Sequence, residues 1–256
     1  MMNYAISGKG QPVILLHGLF GNLDNLKSLA KALENRFQVI RVDLPNHGQS
    51  PHWSCMDYPA LAQAVIDLMN ELSLKSAKLV GHSMGGKVAM ATALLNPLKI
   101  DALVVADIAP VTYHPRHQTV FAGLTSLVLN HQTTRVSALN HLINAGIEES
   151  VAQFLLKNLQ RTETGFEWKM NLTGLINSYD RIIGWQLQDC STPSPYNKPC
   201  LFIRGGESDY VTADHREQIL EQFPSANVKT LNGTGHWLHA QKPEIFNRIV
   251  AEFLAN

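Results

Sequence analysis

This sequence carries little charge, and the charges it has cancel. Lys plus Arg is 21 and Asp plus Glu is 21, so the net charge is zero with histidine neutral. Such a chain has no field to attract nucleic acid or an anionic membrane, and no run of like charge marks a tail. Cysteine occurs 3 times, at Cys55, Cys190 and Cys200. An odd, widely spaced set fits neither a disulfide framework nor a zinc site. No apolar run approaches the ~18 residues that span a bilayer. The opening Met1-Met2-Asn3-Tyr4 has no basic segment leading into an apolar core. No signal peptide is expected, and the expected location is the cytoplasm. Nothing repeats at a fixed period, and no segment is low in complexity.

Apolar residues are plentiful: 45% of 256 residues is enough for one large core with an insertion. The stretch Leu79-Val80-Gly81-His82-Ser83-Met84-Gly85-Gly86-Lys87 organises the rest. An apolar strand runs into G-x-S-x-G and then into a helix, the pattern of a nucleophile elbow. Gly81 and Gly85 lack a Cβ and let strand and helix approach at a sharp turn. Ser83 is expected at the apex as a nucleophile, with the Met84 N–H aimed from the helix N-terminus at a developing oxyanion. The helix is expected to bury Val88, Ala91, Leu94 and Leu95 on one face and to stop at Asn96-Pro97.

Taken in order, residues 3–7 read as an edge strand and 13–16 as a buried one. A helix over 24–34 and a strand over 37–42 follow. Pro59 opens a helix, and 78–82 and 102–107 are the next strands. This alternation predicts an α/β protein with a mostly parallel central sheet flanked by helices. The rhythm then breaks. Over residues 111–198 no buried strand is evident, and helical patterns cover 117–129, 134–144, 149–159 and 172–182. A loop that long is not structureless in a compact protein. The expected organisation is therefore a core (1–110), an inserted helical cap (111–198) and a resumed core (199–256). The resumed core holds a strand over 200–204, a helix capped by Thr212, a strand over 228–231 and a last helix burying Ile245, Phe246, Ile249, Val250 and Phe253.

A serine hydroxyl needs a base, and the base needs an orienting acid. Of 11 histidines, His236 follows the last core strand on the flexible-looking Asn232-Gly233-Thr234-Gly235. It also comes last in the order Ser…Asp…His. His82, His17, His47 and His239 are read as structural, while His114 and His117 open the cap, where a substrate would lie. The second oxyanion donor belongs after the first central strand, at Leu19, with Phe20 next. Two acids remain open: Asp107, which ends the strand beside the nucleophile's strand, and Asp209. Asp43 is read as structural. No His and carboxylate set stands at metal-ligand spacing.

The chain from residue 13 to 254 resembles the α/β-hydrolase superfamily, and in wording the YbfF-like esterases. The pieces that carry this are H-G-L-F-G-N-L-D-N-L from His17, N-H-G-x-S from Asn46, G-H-S-M-G-G-K from Gly81, D-I-A-P-V from Asp107, Q-F-L-L-K from Gln153 and G-H-W-L-H-A from Gly235. The resemblance implies the α/β-hydrolase fold and hydrolysis of small acyl carboxylesters or thioesters, with no metal or cofactor. Many superfamily members take their acid from G-x-x-D-x-x-V after the cap. Here three residues back from Val211 stands Ser208, not Asp209. The resemblance points to D-I-A-P, hence to Asp107 as acid and Ser208 as an auxiliary hydrogen-bond donor. Substrate contacts are expected from Phe20, Tyr113, Phe121, Trp185 and Trp237. The expected partner is a small acyl ester or thioester, with no nucleic acid, and the oligomeric state stays open. The rivals are carbon–carbon bond hydrolysis or elimination by the same residues, and a non-catalytic binding protein. Enzymes that open C–Cl bonds or epoxides attack with a carboxylate at the elbow, so Ser83 argues against them.

Overall fold

The computed structural model describes residues 1–163, 165–187 and 194–255. Cys190 lies outside them; Cys55 is an exposed free thiol and Cys200 a buried one.

Among the described residues, seven strands form the central sheet. These are β1 (Tyr4–Ser7), β2 (Gln11–Leu16), β3 (Phe37–Val42), β4 (Ala77–His82), β5 (Ile100–Ala106), β8 (Cys200–Gly205) and β9 (Ala226–Leu231), in the spatial order β1-β3-β2-β4-β5-β8-β9. Only the β1–β3 pair is antiparallel; the other neighbours run parallel. Side chains alternate between the two faces as the pleat requires. Val13, Leu15, Val39, Val80 and Val104 pack on one face, against α1 (Lys27–Leu33), the short α10 (Leu238–Gln241) and α11 (Pro243–Leu254). Ile14, Leu16, Ile40, Leu79 and Leu103 pack on the other, with α2 (Tyr58–Glu71), α3 (Met84–Leu95) and α9 (Arg216–Gln222). With both faces covered, the inner strands are apolar runs rather than alternating ones.

Local sequence sets the helix ends. The Asp57 carboxylate accepts the Ala60 N–H at 2.9 Å, and Pro59 occupies the first turn of α2. The first helix starts later than its pattern suggested, because Asn22 caps a 3-10 turn over Leu23–Leu26 before α1 begins. Thr212 likewise caps a 3-10 turn, Ala213–His215, ahead of α9. α3 departs from a one-faced helix: every residue from Met84 to Leu94 is buried. It lies between the sheet and α2, so residues all round it are buried, Lys87 and Thr92 included. On α11, Ile245 is exposed at 39%, outside the buried stripe of Phe246, Val250 and Leu254.

Between β5 and β8 lie α4 (Gln118–Ser126), α5 (Arg135–Asn144), α6 (Glu149–Leu155), α7 (Leu172–Asn177) and α8 (Tyr179–Ile183). They are not alone there. β6 (Leu159–Thr162) and β7 (Gly165–Trp168) pair as an antiparallel two-stranded sheet, mostly half-buried, in a stretch where the pattern showed helices and no buried strand. A period-two alternation over four residues is too short to stand out against the helical pattern before it. Among the described residues, no helix is long and apolar enough to cross a membrane.

The turn between β4 and α3 is set by steric exclusion. A Cβ on Gly81 would fall 2.1 Å from the Gly85 carbonyl oxygen, and one on Gly85 would fall 2.3 Å from that of Leu16. Backbone cannot yield as a side chain does. Gly81→Ala should therefore lower the unfolding free energy by about 3 kcal/mol or more, the upper range for overpacking. Gly235→Ala, whose Cβ would meet nothing within 4 Å, should cost under about 1 kcal/mol. Urea unfolding of the two variants checks this, and equal losses would contradict it.

Candidate active site

Ser83 stands at the apex of the β4–α3 turn with φ 54° and ψ −123°. This left-handed conformation costs a non-glycine residue about 1–3 kcal/mol. Neighbouring backbone holds it there. The Ser83 N–H donates to Ala106 O at 2.9 Å, and its carbonyl accepts from Gly86 and Lys87 N–H at 2.8 and 3.1 Å. The side chain is thereby turned toward the loop after β9, where His236 Nε2 lies 2.9 Å from Ser83 Oγ. That loop reads as flexible but is tied down. Thr234 Oγ1 donates to Leu231 O at 2.6 Å, Glu207 N–H to Thr234 O at 2.9 Å, and Gly235 N–H to Gln241 Oε1 at 2.9 Å. His82 Nε2–H donates to His236 O at 2.8 Å.

On its far side, His236 Nδ1 lies 2.8 Å from Asp107 Oδ2. Asp107 is fully buried and has φ 51°. Its Oδ1 accepts the Gly205 N–H at 2.8 Å, and the Ser208 hydroxyl donates to Oδ2. A carboxylate only accepts, so Nδ1 carries the proton and Nε2 faces Ser83 as a bare lone pair. Asp209 points elsewhere: its side chain is 74% exposed and pairs with Arg116 at 2.9 Å. Asp43 accepts from Asn3 Nδ2, Leu23 N–H and Gln49 N–H at 2.7, 2.7 and 2.9 Å, binding the loop after β3 to its surroundings.

Two backbone donors border Ser83. Met84 is the first residue of α3, so its N–H has no partner inside the helix. Leu19 follows β2, and among the described residues its N–H has no acceptor either. The next residue differs. Phe20 N–H donates to His47 Nε2 at 3.1 Å, and Phe20 O accepts from Asn158 Nδ2 at 2.7 Å. Phe20 is thus locked at φ 60°, and Leu19, not Phe20, offers a free donor. His17 does for the neighbouring loop what His47 does here: its Nε2 accepts Leu44 N–H at 3.0 Å while Nδ1 donates to Gly18 O at 2.8 Å. Each imidazole must be neutral to accept on one nitrogen and donate on the other. Burial enforces this, pushing His17 down to about 4 and His47 to about 3.

Ser83 opens onto two cavities. One of about 280 Å3 is lined by Phe20, Val120, Val151, Phe154 and Trp237, among others. One of about 30 Å3 includes Met84, Lys87, Tyr113 and Ile183. Of the expected substrate contacts, Phe20, Tyr113 and Trp237 line these spaces. Phe121 stands behind Phe20, edge to face at 5.3 Å, and Trp185 Nε1 donates to Gln222 Oε1 at 2.9 Å; neither lines these two cavities. His117 lines both cavities, whereas His114 is exposed. Sequence reasoning missed Tyr210, whose ring stacks on His236 at 3.8 Å and 17°. It missed Arg116, whose guanidinium lies 4.4 Å from the Tyr210 ring centre and borders both cavities. It also missed the part played by Lys87. This buried ammonium donates to the carbonyls of Val111, Ile183 and Gly184 at 2.7, 2.9 and 2.7 Å, and burial lowers its pKa to about 7. Only the motif position of Lys87, one turn after Ser83, hinted at it. Among the described residues, no group of 3 or more His, Cys, Asp or Glu is placed to hold a metal ion.

Residues 11–243 match the family described as alpha/beta hydrolase fold. The chain belongs to that family. This alpha/beta hydrolase is 41% identical to esterase YbfF of Escherichia coli, over 95% of this chain and 92% of that protein. It is 39% identical to the sn-1-specific diacylglycerol lipase ABHD11 of Mus musculus, over 95% of this chain and 80% of that one. Among solved structures, a marine microorganism esterase superposes with a TM-score of 0.94 at 36% identity, covering 98% of each chain.

The two neutral imidazoles give the hydrolase an acid-sensitive fold. Released on unfolding, His17 and His47 take up protons near pH 6.5, whereas in the fold they stay neutral down to about 4 and about 3. Between pH 6.5 and 4 the unfolded state binds more protons, so stability is full above pH 6.5 and is lost as the pH falls. Each imidazole contributes up to about 1.4 kcal/mol per pH unit there. His47→Gln keeps an acceptor and a donor but does not titrate. Urea unfolding at several pH values should show a slope shallower by about that amount in the variant. An unchanged slope would contradict the assignment.

Proposed function

We propose that this alpha/beta hydrolase is a serine hydrolase that cleaves carboxylesters or acyl thioesters through an acyl-enzyme. The observation that carries the reading is the unbroken row Ser83 Oγ, His236 Nε2, His236 Nδ1 and Asp107 Oδ2, with contacts of 2.9 and 2.8 Å. The free N–H groups of Leu19 and Met84 stand beside it, and the esterase and lipase relatives support the same chemistry.

In this reading His236 takes the proton as Ser83 Oγ attacks the acyl carbon. Leu19 and Met84 N–H hold the oxyanion, an interaction that strengthens as charge develops. His236 then hands the proton to the departing alcohol or thiol. Water repeats the sequence on the acyl-enzyme and regenerates Ser83. Asp107 fixes the tautomer and stabilises the imidazolium, and Ser208 and the Gly205 N–H fix Asp107. Acyl transfer of this kind uses no metal or cofactor. Residues 111–198 act as a cap over the strand ends, where open α/β sheets bind ligands. Its supports are the Lys87 bonds to Val111, Ile183 and Gly184, and the cavity walls that Tyr113, His117, Val120 and Phe154 supply.

Ser83→Ala should abolish ester turnover and labelling by a fluorophosphonate while the fold persists by circular dichroism. Labelling that survives the substitution would refute the nucleophile.

The acid is tested separately. Asp107→Asn holds the imidazole in the wrong tautomer and should lower kcat by on the order of 10⁴. Asp209→Asn loses only an exposed ion pair and should change kcat less than about threefold. A large loss at Asp209 with near-normal turnover at Asp107 would reverse the assignment.

A further inference from the structure

The two cavities that meet at Ser83 differ about tenfold in volume, and their walls differ in chemistry. A water-sized group needs roughly 10–15 Å3. The smaller cavity, about 30 Å3, therefore accepts about two such groups. The larger, about 280 Å3, accepts a sizeable apolar group.

The smaller cavity has stiff walls. Lys87 spends its three protons on three carbonyls. The Tyr113 hydroxyl accepts the Ala109 N–H at 2.8 Å and donates to Tyr210 O at 2.6 Å. The Tyr58 hydroxyl donates to Ile182 O at 2.5 Å. On the side formed by Lys87, Tyr113 and Tyr58, widening this space means breaking buried, partly charge-assisted hydrogen bonds, each costly to leave unmade. The larger cavity is walled by Val120, Val151 and Phe154 from α4 and α6, apolar side chains with no hydrogen bond to hold them.

Proton transfer decides which part of the substrate goes where. The leaving oxygen or sulfur receives its proton from His236 Nε2, so it lies on the imidazole side of Ser83. His236 and Trp237 line the larger cavity and not the smaller; Met84 and Lys87 line the smaller and not the larger. We infer that the acyl group occupies the small cavity and the leaving alcohol or thiol the large one, so that the substrate is a short acyl group, acetyl or propionyl, on a bulky apolar alcohol or thiol. This inference rests on the serine-hydrolase reading. In the acylation step the Ser83 Oγ–acyl carbon bond forms and the bond to the leaving oxygen or sulfur breaks. The serine proton passes through His236 to the leaving atom. Water then adds its hydroxyl to the acyl carbon, the bond from that carbon to Ser83 Oγ breaks to release the carboxylic acid, and the remaining water proton passes through His236 to Ser83 Oγ.

Two ester series test this. With naphthol as the fixed alcohol and acyl groups from acetyl to octanoyl, kcat/KM should fall at least about tenfold between propionyl and hexanoyl. With acetyl fixed and alcohols from methanol to octanol, it should rise at least about tenfold. Ile108→Ala enlarges the small cavity and should move the acyl optimum to longer chains, with the alcohol ranking kept. Val151→Trp fills the large cavity and should depress octyl acetate relative to methyl acetate, with the acyl ranking kept. Phe154→Ala, which empties the same cavity, should favour bulkier alcohols and guards against a misfolded tryptophan variant. Rates that rise with acyl length in the unaltered protein, or a Val151→Trp variant that penalises long acyl groups instead, would overturn the inference while leaving the esterase reading intact. No turnover of any ester and no fluorophosphonate label on Ser83 would overturn both.

Discussion

The close approach of two backbones at Gly81 and Gly85 is the constraint on which the rest depends. Neither position has room for a Cβ, so β4 and α3 meet at a turn tighter than any side chain would allow. Ser83 then has no choice but a left-handed conformation, held by hydrogen bonds to β5 and to the first turn of α3. The strain is local and the compensation is distributed: α3 is buried along nearly its whole length. That burial supplies the stability that a strained apex draws on.

Around the turn, the interior is organised by polar groups whose ionisation is controlled. His17 and His47 work as neutral connectors, each accepting on one nitrogen and donating on the other. They pin the loops after β2 and β3 and leave Leu19 N–H free where Phe20 N–H is not. Lys87 is the opposite case, a buried cation among carbonyl oxygens and the rings of Tyr58, Tyr113 and Trp185. Its bonds join α3, which carries the serine at its start, to Val111 soon after β5 and to Ile183 and Gly184 at the end of α8. A single side chain therefore couples the turn at Ser83 to the residues that enclose it.

Much of this was legible in the residues. Strand runs, the cap at Thr212, the helix start at Pro59 and the break at Asn96-Pro97 follow local rules. The hairpin β6–β7 was not legible, because four-residue strands half exposed on one face carry too little pattern. Tyr210 and Arg116 were missed for a different reason. A ring stacked on His236 and a guanidinium over that ring are neighbours only in space; in sequence they lie 26 and 120 residues from the histidine.

What the sequence by itself determined is the alternation of strand and helix, the G-x-S-x-G turn, and the short set of residues able to serve it. Those features are written in periodicity, in glycine and in residue type, which act within a few positions. The tertiary structure alone decided the directions. It turned Asp107 inward to His236 and Asp209 outward to Arg116. It closed the Phe20 N–H with His47 and set a small stiff cavity and a large apolar one on either side of Ser83. A side chain's direction depends on which segments, distant in the chain, crowd or bond it, and no local pattern carries that information.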